Sequence, residues 1–174
     1  GAPGVGKTTL AMIVAEQLKR PFYVLSAVSS GVKDVREVIQ KAESQRFFNT
    51  PNPILFIDEI HRFSKAQQDS LLAAVEKGTV TLIGATTENP SFEVISPLLS
   101  RCQVYVLKSQ EKADLEGLID RAVTTDFYLK EKNIVVKEKE ALISFSGGDA
   151  RKLLNILELV VNAQPGPEIL IDND

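Results

Sequence analysis

The 174 residues include no tryptophan, one cysteine, one histidine and one methionine, and aromatic side chains make up only 6%. A lone Cys102 cannot close an internal disulfide and has no second thiol with which to share a metal. That excludes a disulfide scaffold and fits a reducing compartment. A lone His61 excludes any multi-histidine metal centre. No run approaches the ~18 consecutive apolar residues of a membrane-spanning helix, and no basic-then-apolar leader opens the sequence. Excess positive charge is lacking too: 20 Lys and Arg stand against 23 Asp and Glu, a net charge of −3. A whole-surface electrostatic grip on nucleic acid is thereby excluded, so any such contact has to be local. What is expected is a globular chain with no membrane span, placed in the cytoplasm, 44% hydrophobic and long enough for one core or for a core and a small satellite domain.

Glycine is not scarce where it matters. The stretch "GAPGVGKTT" matches G-x-x-x-x-G-K-[ST] at Gly1, Gly6, Lys7 and Thr8. Gly1, Gly4 and Gly6 permit the positive φ and close approach that turn successive amides inward as a nest for anionic oxygens. Ala2, Pro3, Val5 and Thr9 complete the cradle. Lys7 adds a point charge for the β- and γ-phosphates, and Thr8 offers a hydroxyl to Mg²⁺. A helix starting near Lys7 aims its positive end at the same anions. The pattern points to a nucleoside triphosphate.

Farther along, "PILFIDE" is a continuous apolar run ending in two acids, the mark of a strand buried on both faces with chemistry at its carboxyl end. Asp58 is suited to hold Mg²⁺ directly or through water, and Glu59 to polarise the water that attacks the γ-phosphate. His61 lacks any soft co-ligand and is read as a helix-start or packing residue. "LIGATTENP" ends a strand with Thr86 and Thr87, either of whose hydroxyls could sense the γ-phosphate. Arg101 in "SRC" and Arg151 in "GGDARKLLN" are permanently charged planar groups suited to phosphate oxygens. Phe63 and Phe92 are read as packing residues.

Periodicity organises the rest. Leu10, Ile13, Val14 and Leu18 are spaced as a helical face after the glycine loop; "FYVLSA" reads as a strand, and Val32, Val35, Val38 and Ile39 as a second helix. "AQQDSLLAAVEKG" reads as a helix closed by Gly78, "TVTLIGATT" as a buried strand, Pro97 to Ser100 as a short helix and "QVYVL" as a last strand. Strands alternating with helices imply a parallel, three-layer α/β sheet over residues 1–108. From Ser109 the pattern turns helical: Leu115, Leu118, Ile119, Ala122 and Val123 form one face. Leu142 and Phe145 form a second, and Leu153, Leu154, Leu157, Val160 and Val161 a third. We expect a small all-α domain at 109–164 and a Pro/Gly linker at 165–174. Lysines 130, 132, 137 and 139 interleave with Glu131, Glu138 and Glu140 and read as a solvated helix face of mixed charge.

In order along the chain, the phosphate loop, "FIDEIHRF", "GATTEN", "SRC" and "GGDAR" resemble the AAA+ ATPases of the clamp-loader and RuvB group. The 37-residue block "FIDEIHRFSKAQQDSLLAAVEKGTVTLIGATTENPSF", with "LSAVSSGVKDVREVI" upstream, is similar to the RarA/MgsA replication-associated recombination ATPases and their Werner-helicase-interacting relatives. The resemblance implies a Mg²⁺-dependent ATPase with Gly1 to Thr8 as Walker A, and Asp58 and Glu59 as Walker B. It makes Thr87 the sensor-1 residue, with Thr86 as its close alternative. Arg101 would be an arginine finger reaching the ATP of a neighbouring subunit, and Arg151 a sensor 2 from the helical lid to its own ATP. It further implies a tetrameric, nucleoid-associated protein acting on forked, gapped or end-bearing DNA, with single-strand-binding protein as a further partner. A recruitment module for replication proteins and a RuvB-like branch-migration motor or clamp-loader subunit are the alternative functions. Because AAA+ sheets place a central strand before Walker A, the resemblance also implies that this first strand is missing from the sheet. The adenine-contacting residues and the tetramerising region would be missing with it, and the chain alone would bind ATP weakly or aggregate.

Overall fold

The computed structural model describes residues 1–46, 50–164, 166 and 168–173. Contacts divide the chain into two units: Gly1 with Gly6–Val106, and Ala2–Val5 with Leu107–Asp174.

The first unit runs α1 (Lys7–Gln17), β1 (Phe22–Ser26), α2 (Val32–Arg46), β2 (Ile54–Asp58), α3 (Lys65–Glu76), β3 (Thr81–Gly84), α4 (Pro90–Glu93) and α5 (Ser96–Leu99). Its three strands pair in parallel in the order β1-β2-β3, with Ser26 opposite Asp58 and Ile57 opposite Gly84. Strand β2 is central, and its pleat divides its side chains between two cores. Leu55 and Ile57 pack with Val35 and Ala42 of α2 and Leu71 and Ala74 of α3, while Phe56 packs with Ala11 of α1 and Ala85. This is the three-layer arrangement that an unbroken apolar strand demands.

Local chemistry sets the helix ends. Ser64 and Gln67 exchange hydrogen bonds in a capping box at the start of α3, and Gly78 takes a left-handed φ of 64° just beyond its end. Arg20, after α1, donates to the carbonyl of Asn52 (2.6 Å) and to the hydroxyl of Thr81 (2.6 Å), tying the helix to the entries of β2 and β3. Gln68 is buried and fully satisfied: its amide nitrogen donates to the carbonyls of Phe63 and Glu93, and its oxygen accepts from the nitrogen of Ile95. One side chain thus fastens the connection after β3 onto α3.

Three expectations about this unit fail. Leu10, Ile13, Val14 and Leu18 are exposed, and α1 buries its small residues Ala11 and Ala15 instead. The close approach of helix to sheet selects alanine at the contact, whereas periodicity registers only the larger side chains. Phe92 is 84% exposed, although Phe63 is buried as expected. Residues 103–107 form no strand: Val104, Tyr105 and Val106 stand 50%, 76% and 81% exposed. They have strand propensity, but among the described residues no neighbour pairs with them, and pairing is what makes a strand.

The second unit contains α6 (Lys112–Thr125), a 3₁₀ turn (Leu129–Glu131), β4 (Ile134–Val136), α7 (Glu140–Ser146), α8 (Ala150–Ala163) and β5 (Ile169–Ile171). Leu115 and Ile119 of α6 meet Leu142 of α7 and Leu153, Leu157 and Val161 of α8 in one core. The expectation of an all-helical domain is corrected by β4 and β5, which pair in parallel with Ile134 opposite Ile169 and Val136 opposite Ile171. The linker expected at 165–174 is corrected with it. Ile169 and Ile171 are buried in the core, Gln164 holds Leu170 by both its nitrogen and its carbonyl, and Asn173 accepts from the nitrogen of Ala141. The lysine-rich stretch accordingly includes a strand rather than a helical face. Phe145 is 70% exposed, leaving Leu142 as the anchor of α7. Among the described residues no helix is long and apolar enough to cross a membrane.

Candidate nucleotide-binding site

The carboxyl ends of β2 and β3 lie side by side, as the parallel register requires, and the acids and threonines singled out above sit at those ends. Immediately after β2, Glu59 adopts a left-handed backbone (φ 51°, ψ 45°). A non-glycine residue in this region stores strain, and such residues concentrate at functional sites. A single 3₁₀ turn, Ile60–Arg62, follows. It is anchored by the Ile60 nitrogen donating to the Ala85 carbonyl (2.9 Å) and by the Ile60 side chain packing on Gly84, where a Cβ would come within 3.0 Å of it. Gly84 therefore lets the two strand ends approach.

That approach assembles a polar network. Thr87 Oγ1 donates to Glu59 Oε2 (3.2 Å), and His61 Nδ1 lies 3.2 Å from the same oxygen. His61 Nδ1 is also 3.0 Å from Thr86 Oγ1, which in turn accepts from the Glu88 nitrogen (3.0 Å). The Thr86 carbonyl accepts from the Gly1 nitrogen (3.0 Å), and the Gly1 carbonyl accepts from Lys7 Nζ (3.0 Å). A continuous path of polar contacts thus runs from Lys7 to Glu59. Its inner members are shielded, with the His61 and Glu59 side chains 13% and 23% exposed.

The loop has the backbone that its glycines permit. Gly4 and Gly6 take φ values of 72° and 85°, and the Gly6 carbonyl accepts the first helical bond of α1 from Leu10. Ala2–Val5 group with the second unit, where Gly4 has a further constraint. A Cβ on Gly4 would stand 2.0 Å from an Asp149 carboxylate oxygen. Asp149 itself caps α8, accepting from the nitrogens of Arg151 (2.8 Å) and Lys152 (3.1 Å), which puts Arg151 in the first turn of that helix.

Among the described residues no group of three or more His, Cys, Asp or Glu side chains could form a metal cage. Magnesium does not need one: it binds through one or two oxygen ligands, keeping its waters and taking phosphate oxygens from the substrate. Asp58 is half-buried at the end of β2, and its carboxylate has no ion-pair or hydrogen-bond partner among the described residues. Thr8, also half-buried, lies in the first turn of α1. This hard-oxygen donor set fits Mg²⁺ and no soft metal. Arg101 follows α5 and makes its contacts away from this network. It pairs with Glu76 at the end of α3 and donates to the Pro97 carbonyl (2.7 Å) and to Ser100 Oγ (3.2 Å).

The structure therefore brings Lys7, Gly1, Glu59, Thr86 and Thr87 into one network. It adds His61, expected as a helix-start or packing residue, which lies in the 3₁₀ turn and meets Glu59 and Thr86 as well. The available signal was its position two residues after Glu59, within reach of one tight turn.

A parallel three-layer sheet with a glycine loop before α1 and an acidic pair ending its central strand defines a P-loop ATPase of the AAA+ type. The sequence profile of the "ATPase family associated with various cellular activities (AAA)" matches residues 1–110, and the chain belongs to that family. It is 48% identical to the ATPase WRNIP1 of Dictyostelium discoideum over 94% of this chain and 19% of that protein. It is 47% identical to the replication-associated recombination protein A of Coxiella burnetii over 93% of this chain and 37% of that protein. The chain thus spans well under half the length of these curated relatives. Among solved structures, the Thermotoga maritima RuvB Holliday junction branch migration motor superimposes with a TM-score of 0.77 at 29% identity. That match covers 100% of this chain and 57% of the other. The fold is accordingly RuvB-like.

Proposed function

We propose that this chain binds ATP with Mg²⁺ and, within a homo-oligomer, hydrolyses it to act on DNA during replication, recombination and repair. The observation that carries the reading is the Glu59 carboxylate held beside Thr87 and His61 at adjacent strand ends, within a polar path that reaches Lys7 of the phosphate loop. Gly1 to Thr9 surround the phosphates, with Lys7 as their countercharge. Thr8 and Asp58 would hold Mg²⁺, which when bound neutralises the charge that develops on the phosphates. Glu59 is the base that aligns and deprotonates the attacking water, and Thr87 is the sensor of the γ-phosphate, its hydroxyl being the one bonded to Glu59. Arg151 contacts ATP in its own subunit, and Arg101 serves the ATP of a neighbour. The lid is the unit built from α6, α7 and α8 together with the paired strands β4 and β5.

The name of the replication-associated recombination protein A relatives supports replication and recombination as the setting. Within that proposal the DNA substrate is a fork, gap or end, the place is the cytoplasm at the nucleoid, and single-strand-binding protein is a further partner. The likeness to the RuvB motor supports branch migration as a second reading. The test is Mg²⁺-dependent ATPase activity across forked, gapped and blunt DNA for protein carrying this sequence. Lys7→Ala should lose nucleotide binding. Glu59→Gln should keep it while turnover falls about 10²- to 10⁴-fold, the usual contribution of a positioned general base. Turnover unaffected by Glu59→Gln would rule out the proposed chemistry. A recruitment module would hold its partners undiminished, or for longer, in that variant.

A further inference from the structure

We infer that His61 is a positioning residue, one that aims the Glu59 carboxylate through its Nδ1 proton; the inference rests on the ATPase reading above. Two donors converge on one oxygen, Glu59 Oε2: the Thr87 hydroxyl (3.2 Å) and His61 Nδ1 (3.2 Å). With one carboxylate oxygen held from two sides, the carboxylate plane is fixed and Oε1 is the oxygen left to accept a proton from water.

The surroundings select the tautomer that does this. His61 Nδ1 lies between Glu59 Oε2 and Thr86 Oγ1 (3.0 Å). Were Nδ1 bare, its lone pair would face a carboxylate oxygen, a repulsive arrangement. With a hydrogen on Nδ1 the contact is charge-assisted. The Thr86 oxygen, which also accepts from the Glu88 nitrogen (3.0 Å), then shares that one hydrogen as a second acceptor and holds Nδ1 between the two residues. The ring is also held from below, because His61 belongs to the tight turn whose Ile60 is buried against Gly84 and bonded to Ala85. Glu59 needs such a partner more than most carboxylates. Its left-handed backbone (φ 51°) leaves the side chain on a turn where, among the described residues, these two donors are the ones that orient it.

Thr86 extends the arrangement to the phosphate loop. Its carbonyl is bonded to Gly1 and, through Gly1, to Lys7, so the groups that cradle the phosphates and the group that aims the base share one strand end. His61 is thus the link between phosphate loop and base, acting through its contacts to Thr86 and Glu59.

The test compares His61→Ala, His61→Asn and His61→Gln in protein carrying this sequence. It measures kcat, KM, the Kd of a fluorescent ATP analogue, and thermal melting with and without that analogue. The amide nitrogen of asparagine stands where Nδ1 does, whereas that of glutamine extends to the Nε2 position. A positioning role predicts kcat lowered about 10- to 100-fold in His61→Ala, the equivalent of one hydrogen bond to a charged group. His61→Asn should recover most of the loss and His61→Gln little of it, with Kd and melting close to wild type in both amide variants. Equal kcat in all three variants would overturn the inference. Loss of kcat that tracks loss of melting temperature, in asparagine and glutamine alike, would overturn it too, because that is the behaviour of a packing residue. Should His61→Ala fail to fold, the asparagine and glutamine pair still decides. An active wild type with an indifferent His61 removes this inference alone, whereas a wild type that binds ATP and never hydrolyses it removes the ATPase reading as well.

Discussion

Gly4 sits where two independent demands coincide, which makes it a sharper probe of the loop than Gly6. Its φ of 72° favours glycine, and an Asp149 carboxylate oxygen occupies the space, 2.0 Å away, that any Cβ would take. Gly4→Ala should lower stability by about 1–2 kcal/mol for the left-handed backbone, with a further loss from the collision. Urea denaturation read with and without the additional change Asp149→Ala separates the two. The collision should be relieved in the double variant and the backbone cost should persist. A single variant as stable as wild type would mean that the loop is not held in this conformation. Glu59 carries its own left-handed backbone without glycine's freedom, and its carboxylate is held by His61 of the same turn and by Thr87, 28 residues away in sequence. The glycine pattern was legible in the sequence because it is local. The partners of Glu59 were not.

Among the elements, α7 has a titrating anchor at its start. The Glu140 carboxyl is held down to about 2 from an ordinary value of 4.5, chiefly by the hydrogen bond from Lys112 of α6 (3.1 Å) and then by backbone bonds, including that from Lys139. A carboxylate with a depressed folded value contributes stability above its unfolded value and loses that contribution as pH falls through its folded one. The α6–α7 contact should therefore weaken as pH drops from 4.5 toward about 2. Glu140→Gln should remove that part of the pH dependence, and added salt should blunt it in wild type because both partners are exposed. Circular-dichroism melts across this pH range check it; identical pH profiles for the variant and wild type would refute it. The same unit shows the limit of reading elements one at a time. Ile134–Val136 and Ile169–Ile171 are three residues each, too short for a periodicity, and they become strands only by pairing with each other.

For the molecule as a whole, the proposed machinery requires that chains cooperate. Arg101 is tied to Glu76, Pro97 and Ser100, and none of these belongs to the network around Glu59. That separation agrees with a finger serving a neighbour, an effect on the order of 10³ to 10⁵ in rate in other NTPases. Arg101→Ala and Glu59→Gln should each be inactive alone. Mixed and allowed to co-assemble they should regain activity, since one chain keeps the base and the other the finger. Failure to complement in a verified mixed oligomer would place Arg101 in its own subunit's chemistry or outside it.

The sequence by itself determined the phosphate loop, the acids that end β2 and the alternation that makes a parallel sheet. Each of these is a pattern within one or two turns of chain, where the requirement for glycine, for apolar continuity or for a terminal acid acts on the residues concerned. Tertiary structure alone decided that His61 meets Glu59 and Thr86, that α1 buries its alanines and exposes its leucines, and that residues 169–171 are core rather than linker. Those outcomes depend on strand register and on how closely one element approaches another. Thr86 and His61 are 25 residues apart, and Gly1 and Thr86 are 85 apart. Such pairs meet because the sheet sets its strand ends at a hydrogen-bonded spacing, a distance that no local stretch of sequence encodes.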